Sequence, residues 1–309
     1  MRPLAMDDDS QRYISPFLQT TLIGQYGVQN WVLCILMALV IPVVKLIVDT
    51  LIYEPLGSLV LGHQYKKQKE NNDKAKEGAT LMARWRDSCW EFTVYACFTA
   101  LGLNASYSEI WFADTRHFWI GCTQLPCEQQ LTTGLVLLYT IEMGFYLQAI
   151  PSLLFTRGPK RKDHYQMLGH HVVTMVLVGH SFRINLARSG CMIFLTHDVS
   201  DVFLHLAKLI KYAKKETATT CGFVVFLCVW TGTRLYYFPR YIIPSCMYES
   251  MEFFVNKYDV EESPHWEILN GSLWILFCLH IFWTYLILRV VFRMLSAKGV
   301  SDVREDDDD

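Results

Sequence analysis

The amino-acid sequence is dominated by a series of apolar segments, each about 20 residues long, which is the length a helix needs to cross a bilayer. The 309 residues are 52% hydrophobic and only 19% charged, a composition too apolar for an ordinary soluble protein. We therefore predict an all-α polytopic membrane protein, a bundle of seven transmembrane helices. The candidate spans are roughly 31–53, 88–107, 131–154, 165–183, 188–210, 219–243 and 266–292.

The loops between these segments alternate in charge along the chain. The basic loops are 63–86, 155–166 and 211–218, and the acidic loops are 108–130 and 244–265. Because basic loops are retained in the cytosol, this pattern places the N-terminus in the lumen and the C-terminus in the cytosol. The alternation holds only if the fifth segment crosses the membrane, although it carries several ionisable residues.

The same pattern divides the chain into four parts. Residues 1–30 form an N-terminal lumenal segment, and residues 31–79 comprise the first span and a basic cytosolic loop. Residues 80–295 form a domain of six spans, and residues 296–309 form an acidic cytosolic tail.

Two cysteines, Cys122 and Cys127, lie in the predicted lumenal loop 108–130. They could form a disulfide if that compartment is oxidising. Two free thiols are equally compatible with the sequence, because the ten cysteines follow no disulfide-framework spacing.

Ionisable residues lie at the centres of two predicted spans. The fourth span carries His170 and His171, and the fifth carries Asp198 and Asp201. Such side chains are costly inside a bilayer, so four of them together indicate a functional site. Counted from the turn between the two spans, the histidines and Asp201 lie at one depth, about 12 Å below the cytosolic surface at about 1.5 Å per residue.

An imidazole beside a carboxylate can act as a base or a nucleophile near neutral pH, because the carboxylate fixes the tautomer and stabilises the imidazolium. We therefore predict acyl-transfer chemistry, with Asp198 or Asp201 holding one of the rings. The adjacent His170 and His171 differ by about 100° around their helix. One should therefore meet the substrate, while the other orients it or contacts a different helix.

A metal site is the alternative chemistry for these four residues, because His and Asp are ligands for zinc and iron. Membrane di-iron enzymes use several HxxxH and HxxHH boxes, whereas this chain has one HH pair and no such repeat. We therefore predict no metal ion and no other cofactor. The lone histidines His180 and His280 are interpreted as structural residues.

Four further charged residues are candidates for substrate binding. Glu142 in the third span and Arg234 in the sixth fall, by the same counting, in the lumenal half of the membrane, below the histidines. They could pair with one another or contact a polar lipid head group. Arg161 and Lys162 belong to a basic loop that the topology rule alone explains. They are also well placed to receive the phosphates of a coenzyme A donor.

Longer stretches around these residues form recognisable motifs. They are RDSCWEFT at 86–93, YTIEMGFY at 139–146, HHVVT at 170–174, LTHDVSD at 195–201 and TRL at 233–235. Together they resemble the signature of the ceramide synthases, members of the TLC-domain superfamily. The resemblance extends over roughly residues 80–295, and the HH pair combined with HDxxD at this spacing is its specific part.

The resemblance implies a seven-span TLC-type enzyme of the endoplasmic reticulum membrane. Such an enzyme N-acylates a long-chain sphingoid base with a fatty acyl-CoA as co-substrate and releases CoA. The family's catalytic positions fall on His170, His171, Asp198 and Asp201, and the family is associated with an acyl-histidine intermediate. Its determinant of acyl-chain length falls within residues 244–265.

The implied partners are the fatty acyl-CoA, the sphingoid base and membrane lipids, without nucleic acid. The sequence does not decide whether the protein acts as a homodimer or with a small accessory membrane subunit. Two competing functions are a metal-dependent membrane lipid hydroxylase or desaturase and a non-enzymatic TLC lipid-binding protein. Chelators would inactivate the first, and the second would bind lipid without turnover.

Overall fold

The computed structural model describes residues 28–62, 75–155, 163–257 and 264–295, and these residues contain no β-strand. Most of them lie in seven long helices. The helices are α1 (Val28–Val48), α2 (Ala75–Ser106), α3 (Thr133–Phe155), α4 (His164–Arg183), α5 (Ala187–Tyr212), α6 (Glu216–Trp230) and α7 (His265–Leu295). The predicted all-α fold is confirmed.

Two of these helices continue beyond their regular part. α1 runs on through a π-helical turn, Asp49–Tyr53, into Glu54–Val60. α6 runs on as a π-helix over Thr231–Ile242, which is followed by π-helical turns at Ser245–Glu249 and Glu252–Lys257. The predicted acidic loop 244–265 is therefore helical over much of its described part.

Four helical stretches are long and apolar enough to cross a membrane. They are Trp31–Val60, Thr133–Phe155, Glu216–Phe254 and His265–Arg293. The first exposes large aliphatic side chains such as Leu39, Leu46 and Leu59, as a lipid-facing helix does. These stretches confirm a polytopic membrane protein.

α5 is the most enclosed helix of the bundle, and nearly every residue of its first half is buried. It packs mainly against α2 and α6, whereas α4 packs mainly against α7 and α3. α4 and α5 are consecutive in sequence but contact each other little. The candidate residues on these two helices are therefore brought together through α3, which contacts both.

The turn between α4 and α5 is fixed by Asn185, whose backbone is left-handed with φ 59°. Asparagine tolerates this conformation better than most residues. Its Nδ2 donates to the carbonyl oxygens of Cys127 at 2.6 Å and Gln129 at 2.7 Å, which ties the turn to the loop after α2. Cys122 and Cys127 form a disulfide in that loop. The structure thus decides between a disulfide and two free thiols.

α3 and α5 approach each other closely at Gly190. A Cβ atom there would overlap the hydroxyl group of Tyr139 on α3. Small residues commonly allow such close helix contacts in membrane bundles. This contact sets the spacing of the two helices just before the segment that carries His197 and Asp198.

Candidate active site

His170 and His171 lie on α4, within two turns of its start at His164. The ring of His170 meets Trp283 of α7 edge-on, with centroids 5.4 Å apart. Tyr146 of α3 lies against both imidazoles, at 6.5 Å from His170 and 5.6 Å from His171. Nδ1 of each histidine is buried without a hydrogen-bond partner among the described residues. Aromatic packing therefore holds the two rings.

Asp198 of α5 lies against Glu142 of α3. The two carboxyl groups are close enough to share a hydrogen bond. Asp198 is 1% exposed and Glu142 is 0% exposed. Within the described part of the chain, none of their four carboxyl oxygens receives a bond from a donor group. Because adjacent carboxylates repel each other, at least one of the two groups must be protonated for this contact to form.

Asp201 of α5 is paired with Arg234 of the π-helix Thr231–Ile242. Nη2 of Arg234 lies 2.6 Å from Oδ2 of Asp201 and also donates to the carbonyl oxygen of His197 at 2.9 Å. Its Nε donates to Oγ of Ser200 at 2.7 Å, and the guanidinium lies 4.6 Å from the Trp230 ring centroid. A single guanidinium thus contacts three residues within about one turn of α5, His197, Ser200 and Asp201.

His197 connects α5 to α7. Its Nδ1 lies 2.7 Å from the carbonyl oxygen of Ile193, and a carbonyl can only accept, so Nδ1 carries the hydrogen. Nε2 of a neutral His197 is then an acceptor, and Nε2 of His280, 3.0 Å away, is the donor. His280 is fully buried. This pair supports the structural interpretation of His280 and gives it a partner that the sequence did not suggest.

An apolar cavity lies beyond the histidines, towards the turn between α4 and α5. Its walls include Tyr139 of α3, Val178 and Ser181 of α4, and Phe194 of α5. Val178 lies seven residues after His171, about two helical turns, so it shares the face of α4 that carries this histidine. The helix face that carries His171 therefore continues into the cavity wall.

Sequence comparison assigns the chain to a family. The model of the TLC domain matches residues 84–289. Ceramide synthase LOH1 of Arabidopsis thaliana is 34% identical over 279 residues, which cover 88% of each chain. Human ceramide synthase 5 is 35% identical over 243 residues, 78% of this chain and 57% of that protein. The chain belongs to the ceramide synthase family of TLC-domain proteins.

The structure gives two residues of this ceramide synthase family member partners that the sequence analysis did not name. From the sequence, Glu142 and Arg234 could pair with one another or contact a polar lipid head group. Each contacts a carboxylate of α5 instead, Asp198 and Asp201 respectively. Which groups meet depends on the tilt and rotation of each helix, and counting along the sequence gives neither.

A second expectation also differs from the structure. Among the described residues, neither His170 nor His171 makes a hydrogen bond to Asp198 or Asp201. The carboxylates are engaged by Glu142 and by an arginine, and the imidazoles are engaged by aromatic rings. The four residues lie in one region, but the predicted direct imidazole–carboxylate pair is not formed.

Some predicted positions cannot be compared with the structure. Arg161 and Lys162 lie outside the described residues, as do most of the N-terminal segment 1–30 and the tail 296–309. In the described ranges, no group of three or more His, Cys, Asp or Glu side chains is arranged to hold a metal ion.

Tyr146 and Trp283 are residues of the site that the sequence reasoning missed. A signal for Tyr146 was present, because it follows Glu142 by four residues in the motif at 139–146. Residues four apart share a helix face. Trp283 lies on the last helix, far from the other motifs in sequence, and only the packing of α7 against α4 reveals its role.

Proposed function

We propose that this protein is a ceramide synthase, which transfers the acyl group of a fatty acyl-CoA to the amino group of a sphingoid base. Membership of the family makes it an acyltransferase. The single observation that carries the site assignment is the placement of His171: it is buried, its Nδ1 is unpartnered, and its helix face continues into an apolar cavity.

The cavity supplies a place for the acyl chain. It lies on one side of the histidines, and its walls are mostly apolar, as expected of a lipid-chain site. A thioester whose chain fills the cavity would have its carbonyl carbon near His171. One imidazole then either attacks the carbonyl, giving an acyl-histidine, or removes a proton from the sphingoid amine.

The carboxyl groups of Glu142, Asp198 and Asp201 are suited to bind the amino group of the sphingoid base. A sphingoid amine has a pKa near that of lysine, about 10, so it arrives protonated and must lose protons during acylation. The contact of Glu142 with Asp198 offers a negatively charged neighbour, while Arg234 neutralises Asp201. Arg161 and Lys162 are proposed to receive the phosphates of CoA at the cytosolic entrance.

We place all seven helices across the endoplasmic reticulum membrane, with the N-terminus lumenal and the C-terminus cytosolic. The alternating loop charges support this topology, and so does the disulfide in the loop after α2, because disulfides form in oxidising compartments. Activity as a homodimer or with a small accessory subunit stays a prediction.

The test uses purified protein with acyl-CoA and sphinganine. His170→Ala and His171→Ala should each lower amide formation strongly, and His117→Ala, in the loop between α2 and α3, serves as a matched control. Full activity in both α4 variants would refute the assignment. Retained activity with strong chelators would argue against the metal-dependent hydroxylase or desaturase. Intact-protein mass spectrometry after incubation with acyl-CoA alone tests for an acyl-histidine.

A further inference from the structure

The helical architecture restricts how this site can stabilise a reacting carbonyl. Acyl transfer places negative charge on the carbonyl oxygen, and enzymes usually meet that charge with backbone or side-chain N–H and O–H donors. His170, His171, Asp198 and Asp201 all lie inside α4 and α5. Backbone N–H groups inside a helix already donate to carbonyls of the preceding turn. The donor must therefore be a side chain.

Most side-chain donors near the histidines are already committed. The indole N–H of Trp283 donates to Asp163, and the hydroxyl of Ser200 donates to the carbonyl of His197. Nε and Nη2 of Arg234 donate to groups on α5. None of these hydrogens can turn to a substrate without breaking an existing bond.

Tyr146 is a donor that stays available beside the histidine pair. It is only 5% exposed, its ring lies against both imidazoles, and its hydroxyl has no hydrogen-bond partner in the described part of the protein. We infer that Tyr146 is a catalytic residue whose phenol donates a hydrogen bond to the thioester carbonyl oxygen. This inference rests on the proposed acyl transfer.

The step balances without a further reactant. The lone pair of the attacking nitrogen forms a bond to the carbonyl carbon, and the π pair moves to the oxygen that Tyr146 holds. When the carbonyl re-forms, the carbon–sulfur bond breaks with its electron pair on the CoA sulfur. The ammonium nitrogen loses two protons in forming the amide: one passes through an imidazole to water and the CoA sulfur takes up the other, so amide, CoA thiol and one proton are the products. Tyr146 keeps its own proton throughout.

Thr174 is the competing donor. It follows His171 by three residues, so it shares the same face of α4, and its Oγ1 is buried without a partner in the described ranges. Tyr146 is favoured because its ring directly contacts the histidines. If Tyr146 is the donor, Tyr146→Phe should have a low kcat, whereas if Thr174 is the donor, Thr174→Val should.

The experiment compares Tyr146→Phe with the wild type and with Tyr95→Phe. Tyr95 is a matched control, because it lies near the same carboxyl groups but its ring packs against His205 and Phe145 rather than the histidine pair. Tyr146→Phe keeps the ring and should lower kcat about 100- to 1,000-fold, the usual effect of losing one oxyanion donor. KM for acyl-CoA should change little, and Tyr95→Phe should retain activity.

A second arm replaces Tyr146 by 3-fluorotyrosine, which alters the acidity of the phenol while keeping the hydroxyl. A change in kcat without a change in thermal stability is expected, and this arm remains informative if Tyr146→Phe does not fold. Wild-type kcat in Tyr146→Phe, an equal loss in Tyr95→Phe, or a loss found only in Thr174→Val would overturn the inference. Absence of amide product in the wild type would instead refute the proposed function.

Discussion

Substituting Arg234 tests how much its buried ion pair stabilises the helix bundle. The arginine joins the π-helix after α6 to α5 through its contact with Asp201 at 2.6 Å, where the two side chains are 4% and 20% exposed. It also donates to Ser200 and to the carbonyl oxygen of His197. Arg234→Leu keeps an apolar side chain over Trp230 but removes the guanidinium from the Asp201 carboxylate.

The expected cost follows from the burial of the pair. Removing one partner of a buried ion pair costs about 3–5 kcal/mol, because the other charge remains uncompensated. Asp201 keeps some access to solvent, so we expect the lower end, about 3 kcal/mol. At roughly 2–4 °C per kcal/mol, the thermal midpoint should fall by the order of 10 °C. Arg234→Lys should recover only part of this loss, because lysine lacks the planar fork that reaches three acceptors.

The double variant Arg234→Leu/Asp201→Leu decides whether this reasoning holds. Replacing both members of a buried pair by apolar residues is often neutral or stabilising, so the double variant should melt higher than Arg234→Leu alone. The assay is thermal unfolding of purified protein in detergent, with Arg86→Leu as the control. Arg86 pairs with Glu54 at 3.3 Å, but both are substantially exposed, so its loss should cost less than about 1 kcal/mol. A double variant less stable than either single variant would refute the argument.

Three further predictions concern other parts of the structure. Val178→Phe fills the apolar cavity and should shift product ceramides to shorter acyl chains when a series of acyl-CoAs is compared by mass spectrometry; an unchanged profile would contradict the acyl-chain assignment. Gly190→Ala should overlap the hydroxyl of Tyr139 and lower stability by about 1–3 kcal/mol, and Tyr139→Phe in the same chain should restore part of the loss. Glu142→Gln retains a donor towards Asp198 and should melt close to wild type, whereas Glu142→Leu should lose about 1–3 kcal/mol.

The sequence predicted most of the long helices closely, including the polar α4 (His164–Arg183) and α5 (Ala187–Tyr212), but it missed the start of α2. The span 131–154 corresponds to α3 (Thr133–Phe155), and the span 266–292 to α7 (His265–Leu295). α2 begins at Ala75, well before the predicted start at 88. Its first turns are rich in charged residues, and a search for apolar windows detects the part of a helix that lies in lipid, not the part that extends into water.

The sequence singled out the candidate residues, but it did not predict their contacts. His170, His171, Asp198 and Asp201 stood out because placing ionisable side chains inside a membrane span costs free energy. Which group contacts which depends on the rotation of each helix, and a shift of one residue turns a side chain by about 100°. Arg234 lies in a π-helix, whose number of residues per turn differs from that of an α-helix, and the pattern of apolar residues does not reveal this difference. Such π-helical segments often occur at functional sites.

The observed pairings limit the net charge of the buried groups in the site. That charge bears on the order in which the sphingoid amine binds and loses its proton. Arg234 and Asp201 carry opposite charges, and the histidines are packed among aromatic side chains. The contact between Glu142 and Asp198 carries at most one negative charge, because at least one of the two carboxyl groups must be protonated for them to lie together. A protonated sphingoid amine would neutralise that charge on entering, so substrate binding removes an uncompensated charge from the membrane interior. The amine must then give up a proton before it can attack, and under the proposed mechanism one of the imidazoles beside Tyr146 accepts it.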